Sequence, residues 1–192
     1  MAILKYRDAL NAALREEMQR DPSVFCLGEG IGDKGGSYKV TDKLINQFGP
    51  ERVIDTPLSE AGFVGMAGGA AILGARPVVE MLFVDFTYLT MDQVANQIAK
   101  YEFMTGGQGK VPLVLRTQGG VGNGLAGQHS QSLEAMFCHI PGLKVVMPST
   151  PYDAKGLLKS SIRDDGPVIF IENKKLYLTE GEVPYDEFLI PM

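Results

Sequence analysis

Val53-Ile54-Asp55-Thr56-Pro57-Leu58-Ser59-Glu60-Ala61-Gly62-Phe63 decides how this 192-residue chain is read. A short apolar run, a proline-bearing turn and then small and apolar residues predict a strand, a tight connection and a helix. Ser59 is placed to cap that helix, which puts Glu60 in its first turn, where the helix dipole favours a carboxylate. Glu60 therefore has a plain reading as a helix-start charge. A second reading comes from its surroundings. Pro57 to Ala75 holds five glycines, five alanines and no other ionisable side chain. A helix apolar on every side is expected to be buried, and its glycines lower helix stability unless another backbone must approach closely. On that reading Glu60 sits at the mouth of a crowded apolar place, where a carboxyl's proton affinity rises.

Working outward, the elements alternate. Tyr6 to Arg20 has Leu10, Ala13, Leu14 and Met18 at helical spacing, and Asp21-Pro22 ends the helix. Val24 to Leu27 is a buried strand, followed by a glycine-rich loop from Gly28-Glu29-Gly30 to Gly36. That loop is a connector or a phosphate cradle, and it lacks the spacing of either glycine-rich phosphate motif. Thr41 is expected to cap a helix running to Phe48. Further strands are expected at Val53–Asp55, Arg76–Phe83, Pro112–Arg116, Lys144–Met147 and Pro167–Ile171. Helices are expected after Tyr88 to about Met104, at Leu133–Cys138 and at Tyr152–Arg163. Six apolar strands alternating with helices give an α/β class, a mostly parallel six-stranded sheet covered on both faces. Residues 1–175 form the domain, and 176–192 read as an extended linker.

Composition sets limits. The chain is 45% apolar and 21% charged, with a net charge of −5 and no basic run, which argues against nucleic-acid or anionic-membrane binding. Its two cysteines, Cys26 and Cys138, each lie in an apolar run and are expected to be buried free thiols of a reducing, cytoplasmic compartment. The first residues resemble neither a signal nor a transit peptide. The uncharged apolar run from Ala61 to Ala75 is shorter than the roughly 20 residues that span a bilayer. Phe86 is read from the residues alone as core, and His129 as a capping or surface residue at the end of a glycine-rich loop.

Several motifs carry a resemblance. Asp55-Thr-Pro-Leu-Ser-Glu60-x-Gly-Phe63, Phe83-x-Asp-Phe86 with Asp92-Gln93 beyond it, Gln128-His-Ser-Gln-Ser132, Pro141-Gly-Leu-Lys-Val-Val-x-Pro-Ser149 and Asp153-Ala-Lys-Gly-Leu-Leu158 together resemble the β subunits of thiamine-diphosphate-dependent 2-oxo-acid dehydrogenases. These are the pyruvate, branched-chain and acetoin enzymes, and the likeness is to their transketolase-like pyrimidine-binding domain. The resemblance implies that Glu60 bonds the pyrimidine ring nitrogen and favours the imino tautomer that activates the cofactor. Glu29, Leu58 and Phe86 would contact the cofactor, and His129 would act with Glu60 in catalysis. In open parallel sheets ligands lie beyond the carboxyl ends of strands, and these residues follow the first four sheet strands.

The same resemblance implies partners. Gly-Asp-Gly followed by Asn-Asn, the motif for diphosphate and magnesium, does not occur in the chain, so an α subunit would supply that half in an α2β2 assembly with β–β contact. A lipoyl acyltransferase core would take the acyl group. The chain is expected to be inactive by itself, and 176–192 would lead towards a carboxy-terminal domain absent here. A potassium site of backbone oxygens would fall on Leu113, Ser161, Asp164 and Gly166; the plain alternative is an ordinary helix end. A non-catalytic assembly module and a transketolase-type fragment are the competing readings.

Overall fold

A computed structural model describes residues 1–122 and 124–192. Strands β1 (Ala2–Lys5), β2 (Val24–Gly28), β3 (Val53–Asp55), β4 (Arg76–Met81), β5 (Val114–Gly119), β6 (Lys144–Val146), β7 (Val168–Asn173) and β8 (Glu180–Val183) form two sheets. The larger is six-stranded, in the order β3-β2-β4-β5-β7-β6, and every pairing in it is parallel. The fold class read from the sequence is the fold observed. Side chains alternate between two cores, as the pleat requires. Cys26, Val78, Val114, Val168 and Phe170 face α1 (Tyr6–Arg20) and α6 (Pro151–Arg163). Leu27, Val79, Leu115, Ile169 and Ile171 face α3 (Glu60–Ile72) and the segment after β4. Among the described residues no helix is long and apolar enough to cross a membrane.

Strand order positions the site. The chain leaves β2 for β3 on one side and returns to β4 on the other. The crevice beyond the carboxyl ends of β2 and β4 is therefore a topological switch point, where sheets of this kind bind ligands. Glu29 directly follows β2, and the Asp55 carboxylate braces the loop beyond it by accepting from the Gly32 N–H at 2.8 Å. Thr56 N–H donates to the Gly28 carbonyl at 3.0 Å, which ties the end of β3 to the end of β2.

Several local expectations are corrected. Ser59 holds the N-cap position of α3, but its hydroxyl donates to the Pro57 carbonyl at 3.2 Å and caps nothing. Thr41 does not cap α2 (Leu44–Phe48): it is buried and donates to the Ile31 carbonyl at 2.8 Å, and Lys43 stands at the cap in a left-handed conformation. The helix expected from Tyr88 to Met104 is broken into a 3-10 segment (Val84–Thr90), a π segment (Asp92–Ile98) and a short α4 (Tyr101–Met104). Helix α3 is not buried all round. Phe63, Val64, Ala67, Gly68 and Ala71 face the core, whereas Met66 is 52% and Leu73 is 89% exposed. The close approach of another backbone expected from its glycines is not seen among the described residues: a Cβ at Gly68 would meet the Ile98 side chain, 3.0 Å from Cγ1, one at Gly65 the Gln93 side chain, and Gly69 has open space. Cys26 is buried, and that burial pushes its thiol up to about 12, while Cys138 is exposed. The reason is local: α5 (Glu134–Cys138) buries only Phe137.

Residues 176–192, read as a linker, lie against the domain. Strand β8 pairs antiparallel with β1, from Ala2↔Val183 to Lys5↔Glu180. Beyond it, Phe188 stacks on Tyr152 with ring centroids 4.5 Å apart.

Candidate functional site

The residues singled out from the sequence fall at the ends of β2, β3, β4 and β5, which are consecutive neighbours in the sheet. They form two groups. In the first, Glu29 directly follows β2 and Glu60 opens α3 beyond β3. Burial, and then the Glu60 charge, raise the Glu29 carboxyl above its ordinary value. Glu29 Oε1 is shut off from solvent and has no hydrogen-bond partner. Burying a polar atom unpaired is costly, so an oxygen left this way marks a place made for another group. Glu60 is half-buried at the first turn of α3. Leu58, also assigned to the cofactor by resemblance, is 82% exposed.

The second group surrounds His129, which ends a short 3-10 turn, Gly127–His129. Its ring meets Phe83 and Phe86 edge-on, with centroids 5.4 and 5.1 Å away. Such T-shaped contacts hold the imidazole plane against two apolar faces. His129 Nδ1 is buried and has no hydrogen-bond partner. Phe86 is thus neither pure core nor surface: it is half-buried and presents its ring to the histidine. Among the described residues no hydrogen bond or ion pair joins the carboxyl pair to His129.

An aminopyrimidine suits this edge. It carries ring nitrogens that accept and an amino group that donates, and the edge offers two carboxyls whose charges repel. Glu29 holds its proton to higher pH than an ordinary carboxyl because of that repulsion and its burial. The fit has a consequence for stability. Where the folded state raises a carboxyl's proton affinity, the folded state binds more protons, so stability falls as pH rises through and above the ordinary carboxylate range. Glu29→Gln removes that penalty. It should raise the melting temperature of the chain at neutral pH by about 1–2 °C, a small value because the group is partly solvated. Near pH 4, where the native acid is largely protonated in both states, the gain should vanish. A thermal scan at both pH values checks this, and an equal change at both would contradict it.

Three of the four backbone oxygens that the resemblance assigns to potassium also accept hydrogen bonds within the chain. Leu113 O accepts from Val168 N–H at 2.9 Å, Ser161 O from Asp164 N–H at 3.3 Å, and Asp164 O from Arg76 Nη1 at 3.0 Å. Arg76 Nη1 also donates to Ile162 O at 3.0 Å. A guanidinium therefore supplies positive charge at the carbonyl end of α6.

Sequence reasoning missed a buried ionic cluster beneath the site. The Arg116 guanidinium makes a two-pronged contact with Glu172, Nε to Oε1 at 2.7 Å and Nη2 to Oε2 at 2.9 Å, and Nη1 reaches Glu80 Oε2 at 2.9 Å. Tyr177 donates its hydroxyl to Glu172 Oε2 at 2.6 Å. A signal was present: single charges interrupt three apolar strands at Val78-Val-Glu80, Val114-Leu-Arg116 and Phe170-Ile-Glu172. Also missed was Lys174, discussed below.

Residues 3–179 match the family described as "Transketolase, pyrimidine binding domain". Among curated proteins, the chain is 49% identical, over all its length, to a 2-oxoisovalerate dehydrogenase subunit beta of Bacillus subtilis, covering 59% of that protein. It is 52% identical over 96% of its length to a pyruvate dehydrogenase E1 component subunit beta of Gracilaria tenuistipitata, covering 57% of it. An acetoin:2,6-dichlorophenolindophenol oxidoreductase subunit beta of Cupriavidus necator is 50% identical over 98% of the chain, which covers 58% of that protein. The chain thus spans well under two thirds of these relatives. A solved structure titled "Split gene transketolase, inactive beta4 tetramer" superposes with a TM-score of 0.70 at 20% identity, covering 89% of this chain and 52% of that one. At that identity the likeness concerns fold alone. With a match running through nearly every element of the sheet, and the motif residues gathered along its switch-point edge, the chain belongs to the transketolase pyrimidine-binding domain family.

Proposed function

We propose that this chain is the β-subunit half of a decarboxylating component for 2-oxo acids or acetoin, and that it holds and activates the aminopyrimidine of thiamine diphosphate. The carboxyl pair carries the reading: Glu29 and Glu60 stand close enough for one charge to raise the other's proton affinity, and Glu29 Oε1 is sheltered without a partner. When bound, thiamine diphosphate supplies a nucleophilic carbon and the electron sink that decarboxylation needs. Glu60 holds a proton against the pyrimidine ring nitrogen. Glu29 would accept from the amino group, and the Phe86 ring would give an apolar face. His129, braced by Phe83 and Phe86, stabilises substrate charge or moves a proton in later steps.

On this reading an α subunit brings the magnesium and diphosphate half, a second copy of the chain completes the assembly, and a lipoyl acyltransferase receives the acyl group. Similarity to oxoisovalerate, pyruvate and acetoin relatives at 49–52% identity supports the reaction class and does not choose among substrates. Exposed Met66, Ile72 and Leu73 on α3 also suit a non-catalytic assembly module, and one experiment separates the two. Thiamine diphosphate with magnesium is titrated calorimetrically into the chain alone and into the chain with its α partner. The proposal expects uptake only in the mixture. No uptake in a mixture that has demonstrably assembled would overturn it in favour of the module.

A further inference from the structure

Lys174 follows β7, begins a 3-10 turn and is only 7% exposed. Its ammonium donates to the carbonyl of His129 and, at 3.3 Å, to the carbonyl of Gly120. It also lies 4.4 Å from the centroid of Phe83, whose ring edge meets the His129 imidazole. One buried cation therefore touches both ends of the loop that carries the histidine, and the aromatic wall behind it.

Two more contacts close the same loop. Gly120 N–H donates to Gln131 O at 2.8 Å, and Gln131 N–H donates to Asp85 Oδ1 at 3.1 Å. Asp85 is 5% exposed and its Oδ2 has no partner, so its charge stays beside the lysine. The chain also wraps the lysine stem closely: a Cβ at Gly122 would lie 2.9 Å from Lys174 Cδ. A lysine presents several donors and no acceptor, which suits clamping two carbonyls at once. Burying a cation without a full salt bridge is costly, and here burial lowers the proton affinity of Lys174. Tolerating that cost in order to hold a loop that ends at His129 is what assigns the lysine a task.

We infer that Lys174, with Asp85, is a positioning residue for His129: the pair holds Gly120 and the His129–Gln131 turn together and so fixes where the imidazole stands. The inference rests on the function proposed above. Lys174 acts through the histidine backbone and Phe83, and touches no reacting atom.

The test uses Lys174→Met and the charge-retaining Lys174→Arg in the full chain, assembled with its α partner. Displacing a reacting group by about 1 Å can lower a rate ~10²-fold, so Lys174→Met should lower turnover about 10–100-fold, with Lys174→Arg recovering part of the loss. In a His129→Ala background the same change should lower turnover no further. Two readouts do not involve activity. Amide exchange of Gly120, His129 and Gln131 should speed up in Lys174→Met, and the imidazole titration of His129, one of only two histidines in the chain, should shift by NMR. Unchanged exchange and an unchanged titration overturn the inference whatever the activity does. Equal losses with and without His129 overturn it too. If Lys174→Met fails to fold, Asp85→Asn is held to the same criteria. Should Glu60→Gln leave turnover normal while Lys174→Met still frees the loop, the proposed function fails and the clamp stands.

Discussion

Replacing Arg116 with methionine should destabilise the domain by about 3–5 kcal/mol, the usual cost of removing one partner from a buried ion cluster. Arg116 is 1% exposed, Glu80 is 3% and Glu172 is not exposed at all. Two carboxylates therefore share one guanidinium out of reach of water. Burial alone drives Glu172 towards its neutral form, and Arg116 opposes that. Without the arginine both acids must take up protons or remain charged and unpaired. Domains are stable by only about 5–15 kcal/mol in total, so the variant should be near its unfolding threshold at neutral pH. Stability should partly return as the acids are neutralised, either by lowering the pH or by adding Glu80→Gln and Glu172→Gln. Urea unfolding of the variant and of the triple substitution measures this. A loss under about 1 kcal/mol, the range of exposed pairs, would mean that the cluster is hydrated.

Glu60→Gln should have the opposite signature, with a large effect on turnover and little on stability. Glu60 is half-buried and makes no hydrogen bond or ion pair among the described residues, so its loss should change stability by no more than about 0.5 kcal/mol. Turnover of the assembled enzyme should fall at least ~10²-fold, the lower end of what a positioned proton donor contributes. Glutamine matches the shape and can bond the ring nitrogen, but it cannot exchange a proton with it. The loss should therefore fall on kcat, with thiamine diphosphate affinity changing less. Steady-state kinetics with saturating cofactor reads the split. Near-normal kcat would remove Glu60 from the chemistry.

The central sheet was legible because buried parallel strands are written as short apolar runs, such as Val24–Leu27 and the stretch starting at Pro167. Pairing across long sequence separation was not. Strand β8 reads Glu-Gly-Glu-Val, with no apolar run to announce it, and its partner β1 lies at the opposite end of the chain. Burial of α3 was over-read for a related reason. Hydropathy reports that Met66 and Leu73 are apolar, not whether this chain alone covers them. At the expected caps the Thr41 hydroxyl turns to the Ile31 carbonyl, ten residues back and brought close by the folded loop, and the Ser59 hydroxyl to the Pro57 carbonyl two residues back. Glu29, Glu60, Phe86 and His129 were singled out through motif and strand order together, and the fold brings them to neighbouring strand ends. Lys174 and Arg116 were hidden, since a buried cation's meaning lies in hydrogen-bonding partners 36 to 56 residues away.

The account depends on contact between the Glu60 carboxyl and the pyrimidine ring nitrogen. A double-mutant cycle on the assembled enzyme measures that contact directly: turnover of native protein and Glu60→Gln, each with thiamine diphosphate and with an analogue in which carbon replaces that nitrogen. Groups in direct contact give non-additive losses, with coupling of about 0.5–3 kcal/mol or more. The expected result is that the analogue slows the native enzyme severely and slows Glu60→Gln hardly further. Losses that simply add would show that the carboxyl and the ring nitrogen act independently, and would contradict the account.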